Sequence, residues 1–457
     1  MSQIKYKNWF IPLMILSLII LVSIIPLIRF YNGDPVFISG DNYTFLNSAN
    51  TNTYSDFATF VFGFIMQQYL FLNYLLPILF GIITIFLFSG IAKHYSNTPK
   101  QYYVSLSLLV TMPAFLLAHV SLTYMSLFFL LVSFCFLTYL NNNSKINFKF
   151  ICSMFLFALF FPLQTIILLI LFTILHMERL KQDLNEFYVL LFAITSAIII
   201  LIILPISFNF IYLDEFNIAN VFSFLGADFG YSLIITIFGL LGIYSQYGNF
   251  SLKELSLISS YFILSFFVPY LIAGMILFFI LFSTKSIFYW FDEEWVTGFL
   301  KYATIILICC VLFFSISTIV QEKFSDSPTT IQVDALKYIN QNKLEFEEGK
   351  ILTNVKYSSF IEYYSGLKPY NIYGDESKQL VSNAIFYSRK YPYIVDLMKT
   401  ENIKYILIDE KMINGAIWPN NREDLLFVLE QSSSFKKIYD KSGVQVYVFE
   451  EIVESTI

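Results

Sequence analysis

Charged side chains are scarce in this chain of 457 residues. They make up 13% of the sequence, whereas 57% of the residues are hydrophobic. A soluble globular protein carries about 25% charged residues, so this chain has too few to cover a surface that faces water. The scarcity excludes an ordinary soluble protein and predicts a polytopic α-helical membrane bundle. Charges become dense only after about Val320, where a soluble domain is expected to begin.

Cysteine pairs and basic patches are also lacking. The four cysteines all lie in apolar runs: Cys135, Cys152, Cys309 and Cys310. None belongs to a CxxC pair, which argues against a disulfide framework or a metal site and favours a packing role. No basic patch with interleaved aromatic residues occurs, so nucleic acid is not expected as a partner.

Long apolar runs predict about ten or eleven transmembrane helices within residues 1–320. The first run, Trp9 to Ile28, is interpreted as a retained helix because no small-residue cleavage site follows it. The run from Phe148 to Met177 is too long for one straight span and predicts two helices that meet at Pro162. The run from Leu257 to Trp290 is either one long span or two short ones.

Lysine and arginine are concentrated in alternate short loops, which are therefore assigned to the cytoplasm. The N-terminus, with Lys5 and Lys7, and the loop from Ala92 to Gln101 are on that side. The other loops are poor in lysine and arginine and are assigned to the outside of the cell membrane; two of them, Arg29 to Asp56 and Ser207 to Gly230, are acidic. Two spans in Leu257 to Trp290 would give eleven in total and an extracytoplasmic C-terminal domain. One span would give ten and place that domain inside, and hydropathy alone leaves both alternatives open.

Residues 321–457 predict a soluble α/β domain, because helical and strand patterns alternate there. The predicted helices are Ile331 to Asn342, Ser358 to Tyr364 ending at Gly366, Ile385 to Thr400 with a kink at Pro392, and Arg422 to Gln431. The predicted strands are Lys350 to Asn354, Lys404 to Ile408, and a hairpin of Lys436 to Tyr439 and Val444 to Phe449 around Lys441-Ser442-Gly443.

Ionisable residues are almost absent from the interior of the apolar runs. Ion-coupled transporters carry such residues near the midplane, because an ion or proton needs partners there. The nearest candidates, His119, Gln164 and His176, each lie at the end of a predicted span. Secondary transport is therefore disfavoured, although a carrier of apolar lipid escapes this argument.

Polar chemistry is concentrated in the first outer loop, residues 29–71. Asp34 and Asp41 precede a stretch rich in Ser, Thr and Asn. A carboxylate at a membrane surface can act as a general base toward a hydroxyl group or bind a divalent cation. The alternative is a solvated loop in which Asp34-Pro35 and Gly40-Asp41-Asn42 form turns. The apolar run from Phe57 to Phe71 favours an interfacial helix.

Three short motifs resemble the GT-C superfamily of membrane glycosyltransferases. Gly40-Asp41-Asn42-Tyr43 resembles the acidic motif that follows the first helix in that superfamily. The tight helix pair with Met112-Pro113-Ala114-Phe115 just before its outer turn also resembles the superfamily. The stretch from Trp295 to Glu362-Tyr363-Tyr364-Ser365-Gly366 resembles the end of archaeal oligosaccharyltransferase-like membrane proteins. The resemblance implies a GT-C-like bundle with an extracytoplasmic terminal domain. It also implies transfer of a sugar from a polyprenyl-phosphate donor to an acceptor at the outer membrane face of the cell envelope.

The resemblance also implies roles for individual residues. Asp41 is expected to be the catalytic base that deprotonates the acceptor hydroxyl, while Arg29 and Tyr43 bind the phosphate-linked donor. Further acidic residues are expected as second-shell residues or metal ligands: Asp34, Asp214, Glu215 and Asp228. A divalent cation, Mg²⁺ or Mn²⁺, is the one cofactor suggested. The sequence identifies neither the sugar nor the acceptor.

Two features of the superfamily are missing from the sequence. Many relatives carry a second acidic residue in the outer turn between the third and fourth helices, but His119 to Tyr124 contains no carboxylate. The WWDYG signature of oligosaccharyltransferases is also absent, which argues against peptide glycosylation. Two alternatives to a transferase therefore stay open: a non-catalytic GT-C-like membrane protein, and a flippase for lipid or glycolipid.

Overall fold

The computed structural model describes most of the chain, with gaps. The described residues are 9–35, 40–51, 56–69, 71–141, 148–180, 184–203, 233–246, 252–268, 270–292, 298–299, 302–303, 305–306, 310, 327–342, 349–372, 375–418 and 424–450.

The chain forms two compact units. The first consists of Met1–Pro26 and Ser48–Phe324, and the second of Leu27–Asn47 and Ser325–Ile457. The second unit therefore combines the C-terminal residues with part of the first outer loop, which the sequence grouped with the membrane helices.

The described residues from Trp9 to Asp292 are mostly helical. In chain order the helices are α1 (Phe10–Asn32), α2 (Gly40–Thr51), α3 (Phe57–Gln68), α4 (Leu72–Tyr95), α5 (Pro99–Thr111), α6 (Pro113–Val120), α7 (Tyr124–Asn141), α8 (Phe148–Phe160), α9 (Pro162–Leu180), α10 (Leu184–Ile203), α11 (Leu233–Ser245), α12 (Leu252–Phe267) and α13 (Leu271–Asp292). Parts of α1 and α2 belong to the second unit.

Several of these helices can cross a bilayer. Within the described residues, α1, α4, α7 and α13 are long and apolar enough to do so. Helices α5 and α6 would form a fifth span, bent by 51° where Pro113 begins α6. The fold is that of a polytopic α-helical membrane protein, and the total of ten or eleven spans stays a prediction.

The two apolar runs that are too long for one span, Phe148 to Met177 and Leu257 to Trp290, are each divided into two helices. Helix α8 ends at Phe160 and α9 begins at Pro162, which confirms the predicted break. Proline favours the first turn of a helix because it has no N–H to donate and its φ angle is fixed. The run from Leu257 to Trp290 contains two helices, α12 and α13. Tyr270, between them, has a φ of +69°, a left-handed backbone that interrupts a helix.

Small residues bring α11 and α13 together. A Cβ added to Gly242 would lie 2.1 Å from the carbonyl oxygen of Phe282, so the two helix backbones are in direct contact there. Gly239 packs in the same way against the ring of Phe279. Ser283 adds a hydrogen bond from its Oγ to the carbonyl oxygen of Ile235, 2.7 Å away. Glycine allows this close approach, which supplies van der Waals packing where the hydrophobic effect is weak.

The second unit is built on a four-stranded sheet. Its strands are β1 (Lys350–Leu352), β2 (Ile403–Ile408), β3 (Phe435–Lys441) and β4 (Val444–Phe449), in the order β1-β2-β4-β3. Strand β1 pairs parallel to β2, and the other two pairs are antiparallel. The predicted hairpin is confirmed: Ser442 and Gly443 have φ angles of +46° and +80°, as in the tight turns that join hairpin strands.

Helices pack around this sheet. They are α14 (Thr330–Gln341), α15 (Ser358–Ser365), α16 (Glu376–Phe386), α17 (Tyr391–Thr400) and α18 (Asp424–Gln431). The predicted end of α15 is confirmed, because Gly366 caps it with a φ of +65°. The predicted helix from Ile385 to Thr400 is wrong. The chain forms two helices there, and Pro392 lies in the first turn of the second, where its missing N–H costs no hydrogen bond.

Asp409 joins the end of β2 to two other segments. The side chain is buried and accepts hydrogen bonds from Gln332 Nε2 at 2.7 Å, Tyr357 Oη at 2.6 Å and the backbone N–H of Met412 at 2.9 Å. A buried carboxylate needs such donors to replace the water that it loses. The contacts therefore fix α14 and the segment before α15 relative to the sheet.

Candidate functional site

The structure places four of the predicted site residues in the second unit. Arg29 lies in the last turn of α1, Asp34 follows that helix, and Asp41 and Tyr43 lie on α2. The alternative interpretation of Gly40-Asp41-Asn42 as a turn is wrong, because Gly40 begins a helix of 12 residues. The buried side chains of this helix explain the difference, since tertiary packing outweighs the turn preferences of short polar residues. These side chains are Tyr43, Phe45, Leu46 and Ala49.

Arg29 is a buried cation that binds backbone carbonyl groups. Its side chain is 2% exposed. Nη2 donates to the carbonyl oxygen of Pro328 at 2.7 Å and to that of Pro35 at 3.1 Å, and Nε donates to Pro35 at 3.2 Å. A buried guanidinium must be paired, so these bonds hold the end of α1 against the start of the C-terminal segment.

Asp34 interacts with the beginning of α14. Its Oδ1 accepts a hydrogen bond from the backbone N–H of Thr330 at 3.2 Å and lies 3.3 Å from the Oγ1 of that residue. Thr330 Oγ1 also donates to the carbonyl oxygen of Gly33 at 2.7 Å. A carboxylate at this position is favoured by the partial positive charge of the helix N-terminus. Asp34 thus accepts from one of the free N–H groups in the first turn of α14, whose N-cap is Thr329.

Asp41 occupies the first turn of α2 and is half-buried. The partial positive charge of a helix N-terminus stabilises a negative charge at such a position. The neighbouring Gly40 lies beside α15, because a Cβ added to it would be 3.4 Å from Ser359 Oγ. The carboxylate thus stands at the end of α2 that faces α15.

Tyr43 packs into a group of aromatic rings on α15. Its ring centroid lies 5.7 to 6.0 Å from those of Phe360, Tyr363 and Tyr364. The hydroxyl oxygens of Tyr43 and Tyr364 are 3.4 Å apart. Burial raises the pKa of Tyr43, and the neighbouring Tyr364 raises it further, although the charge of Arg29 acts in the opposite direction. Tyr43 therefore stays a neutral phenol that can donate a hydrogen bond.

Two residues of this region were quoted in motifs but not assigned a role from the sequence. Tyr364 is brought to Tyr43 by the packing of α15 against α2, which no local pattern reveals. Asn42 is 0% exposed, and within the described part of the chain neither Nδ2 nor Oδ1 has a hydrogen-bond partner. An Asn between Asp and Tyr suggests a turn, so no sequence pattern indicated a buried amide.

The remaining acidic candidates, Asp214, Glu215 and Asp228, lie outside the described residues. Among the residues that are described, no group of three His, Cys, Asp or Glu side chains could hold a metal ion. Asp41 and Asp34 do not by themselves make a divalent site, which needs several oxygen ligands.

The turn after α6 contacts a carboxylate from another segment of the first unit. Asp56 caps α3, accepting from the N–H of Thr59 at 2.8 Å, and its Oδ2 accepts a hydrogen bond from Tyr124 Oη at 2.9 Å. His119, in the preceding helix, is completely buried and its Nδ1 lies 2.6 Å from the carbonyl oxygen of Phe115. The turn has no acidic residue of its own, but Asp56 accepts a hydrogen bond from Tyr124, the first residue of the helix that follows the turn.

Sequence comparisons find nothing similar to this chain. No protein-family profile matches it, and no curated protein matches it either.

The fold, in contrast, is shared with the oligosaccharyltransferase of Archaeoglobus fulgidus. Its apo form matches with a TM-score of 0.57 at 12% identity, over 98% of this chain and 75% of that one. The form tethered to an acceptor peptide with the NVT sequon matches with a TM-score of 0.56 at 13% identity, over 97% and 74%. The complex of archaeal oligosaccharyltransferase AglB with an inhibitory peptide and a dolichol-phosphate matches with a TM-score of 0.56 at 12% identity, over 97% of this chain and 74% of that one. The likeness in fold to archaeal oligosaccharyltransferases that the short motifs predicted is thereby confirmed.

Proposed function

We propose that this protein is a membrane glycosyltransferase that moves a sugar from a polyprenyl-phosphate donor to an acceptor at the outer membrane face. The observation that carries the proposal is Asp41. In a chain with the fold of an oligosaccharyltransferase, a half-buried carboxylate stands in the first turn of the helix that follows the first apolar helix. A fold alone does not define an activity, so the argument depends on this side chain.

The proposed reaction is a direct displacement. Asp41 takes the proton of an acceptor hydroxyl, and the oxygen of that hydroxyl attacks the anomeric carbon of the sugar. A bond from the acceptor oxygen to the anomeric carbon forms, and the bond from this carbon to the phosphate oxygen breaks. Polyprenyl phosphate leaves with the bonding electrons. A general base typically contributes about 10²–10⁴-fold to such a rate.

A polyprenyl phosphate is proposed as the lipid part of the donor. The A. fulgidus enzyme that shares the fold was solved with a dolichol-phosphate. The phenol of Tyr43 can donate a hydrogen bond to a phosphate oxygen, since burial keeps it neutral. Arg29 would act through its buried charge, because its Nε and Nη2 already bind backbone carbonyls. The acceptor is not identified.

A divalent cation is a separate proposal. It depends on Asp214, Glu215 or Asp228 as additional ligands, because the described residues do not supply a complete set. No step of the proposed displacement is assigned to a metal. Loss of transfer in EDTA and its recovery with Mg²⁺ or Mn²⁺ would support a role for these residues.

Replacing Asp41 tests the proposed function. Membranes that contain the protein are supplied with radiolabelled dolichyl-phosphate-linked sugars, and loss of label from the lipid fraction is measured. We expect Asp41→Asn to lower this rate at least about 100-fold without changing the Tm, because the amide cannot accept the proton. The matched control is Asp396→Asn, an exposed carboxylate on α17, which should stay within about twofold of the wild type.

Two results would contradict the proposal. Equal rates for Asp41→Asn and the wild type would show that this carboxylate is not the base. Movement of labelled lipid across vesicles without any consumption of the donor would indicate a flippase instead.

A further inference from the structure

Asn42 is a buried amide without partners. Its side chain is 0% exposed, and in the described part of the chain neither its Nδ2 nor its Oδ1 makes a hydrogen bond. An amide that is removed from water without replacing its hydrogen bonds destabilises the folded protein. Such groups are rare in native structures and call for an explanation, one of which is a ligand that binds there.

The position of Asn42 connects it to Asp41. The two residues are adjacent in the first turn of α2. Side chains of a helix are tilted toward its N-terminus, so the amide is directed to the end of α2 where the carboxylate lies. This end faces α15, at Gly40 and Ser359.

The chemistry of the amide selects the kind of ligand. A carboxamide has two N–H donors and an oxygen that accepts. A fully ionised phosphate oxygen only accepts, so it would leave Oδ1 of Asn42 unpaired. A lipid chain would satisfy neither atom. A hydroxyl group both donates and accepts, and two neighbouring hydroxyls on a sugar ring can pair with both ends of one amide.

We propose that Asn42 binds hydroxyl groups of the transferred sugar and thereby positions the ring beside Asp41. This inference rests on the proposed function, and it makes Asn42 the residue that distinguishes a glycosylated donor from bare polyprenyl phosphate. A site built to pair with hydroxyl groups discriminates strongly, because the analogue that lacks them leaves the buried amide unpaired.

Thermal unfolding of the full chain in detergent tests the proposal. Two probes are compared: bare dolichyl phosphate, and a panel of dolichyl-phosphate-linked hexoses and pentoses. For the wild type we expect a larger rise in Tm with at least one glycosylated lipid than with the bare lipid. Asn42→Leu, of similar volume, should remove this increment and keep the rise that the bare lipid produces. Asn42→Ala, which cannot clash, serves the same purpose if the Leu variant fails to fold.

Asn73 provides a matched control. It is also 0% exposed, lies on α4, and within the described residues neither atom of its amide has a hydrogen-bond partner. Asn73→Leu should keep the sugar-dependent increment, because that amide is in a different segment. Activity should follow binding, so Asn42→Leu is expected to raise the KM for the glycosylated donor at least tenfold.

Three outcomes would overturn the proposal, and they are distinguishable from a failure of the proposed function. A wild type that responds equally to bare and glycosylated lipid does not recognise the sugar, and its buried amide binds only water. If Asn42→Leu keeps the additional rise in Tm with the glycosylated lipid, other residues bind the sugar. Equal loss in the Asn42 and Asn73 variants indicates a general effect of buried amides. If the proposed function fails, no donor is consumed, whichever lipid raises the Tm.

Discussion

Charged residues near the candidate site serve two different purposes. Arg29 and Asp34 both contact backbone groups of the second unit, through Pro328 and Thr330 respectively. Asp41 instead lies in the first turn of its own helix, α2. In the sequence the three residues look alike, because each is a lone charge close to an apolar run. Only the structure shows that Arg29 and Asp34 bind backbone groups of the second unit.

The contact of Asp34 predicts a structural phenotype. Removing a hydrogen bond typically costs about 1 kcal/mol of stability, so Asp34→Ala, which loses the bond from the N–H of Thr330, should lower the Tm of the detergent-solubilised protein. The rate of sugar transfer should stay within about twofold of the wild type, because the proposed chemistry depends on Asp41. Asp396→Ala, an exposed residue, is the control for loss of a carboxylate. A large loss of rate with an unchanged Tm would instead favour a ligand role for Asp34.

At the scale of single elements, local signals predicted some boundaries correctly. Gly366 ends α15 and Ser442-Gly443 joins β3 to β4, because these positions need a left-handed backbone that glycine adopts without steric cost. Proline was less informative. Pro162 begins α9 as expected, but Pro392 lies in the first turn of α17, where a kink within one helix was predicted. In both cases proline disfavours the helical conformation of the residue before it. Packing decides where the preceding helix ends.

Gly366 permits a direct test at this scale. Gly366→Ala should destabilise the second unit by about 1 kcal/mol, since an alanine with positive φ brings its Cβ too close to the backbone. Gly366→Asn should lower the stability of the second unit less, because asparagine tolerates the left-handed region. The measurement is the Tm of the purified protein followed by intrinsic fluorescence. Equal stability of the Ala variant and the wild type would contradict the assigned cap.

At the scale of the whole molecule, the fold persists without recognisable sequence similarity. The A. fulgidus enzyme matches nearly the whole chain at 12% identity, while no family profile matches. A membrane helix requires apolar side chains over about 20 residues but not particular ones, so identities disappear while the helices remain. Short motifs such as Gly40-Asp41-Asn42-Tyr43 were therefore the only sequence signal of the resemblance.

The side of the membrane on which the C-terminal residues lie can be measured. We expect Ser433→Cys, an exposed position in the second unit, to react with a membrane-impermeant maleimide in intact cells. Lys100→Cys, in a loop assigned to the cytoplasm, should react only after the cells are permeabilised. The unmodified protein, with its cysteines in apolar runs, gives the background. The opposite labelling pattern would place the C-terminal domain inside and support ten spans.

The sequence by itself determined that the chain is a membrane protein with an α/β region at its end. It also determined most breaks and turns, because hydropathy, proline and glycine act locally. The tertiary structure decided which segments belong together. Residues 27–47 fold with the C-terminal unit, where Arg29 donates hydrogen bonds to the carbonyl oxygens of Pro35 and Pro328, and where the buried amide of Asn42 has no hydrogen-bond partner among the described residues. Contacts such as that of Arg29 with Pro328 join residues about 300 positions apart, so no local pattern of side chains predicts them.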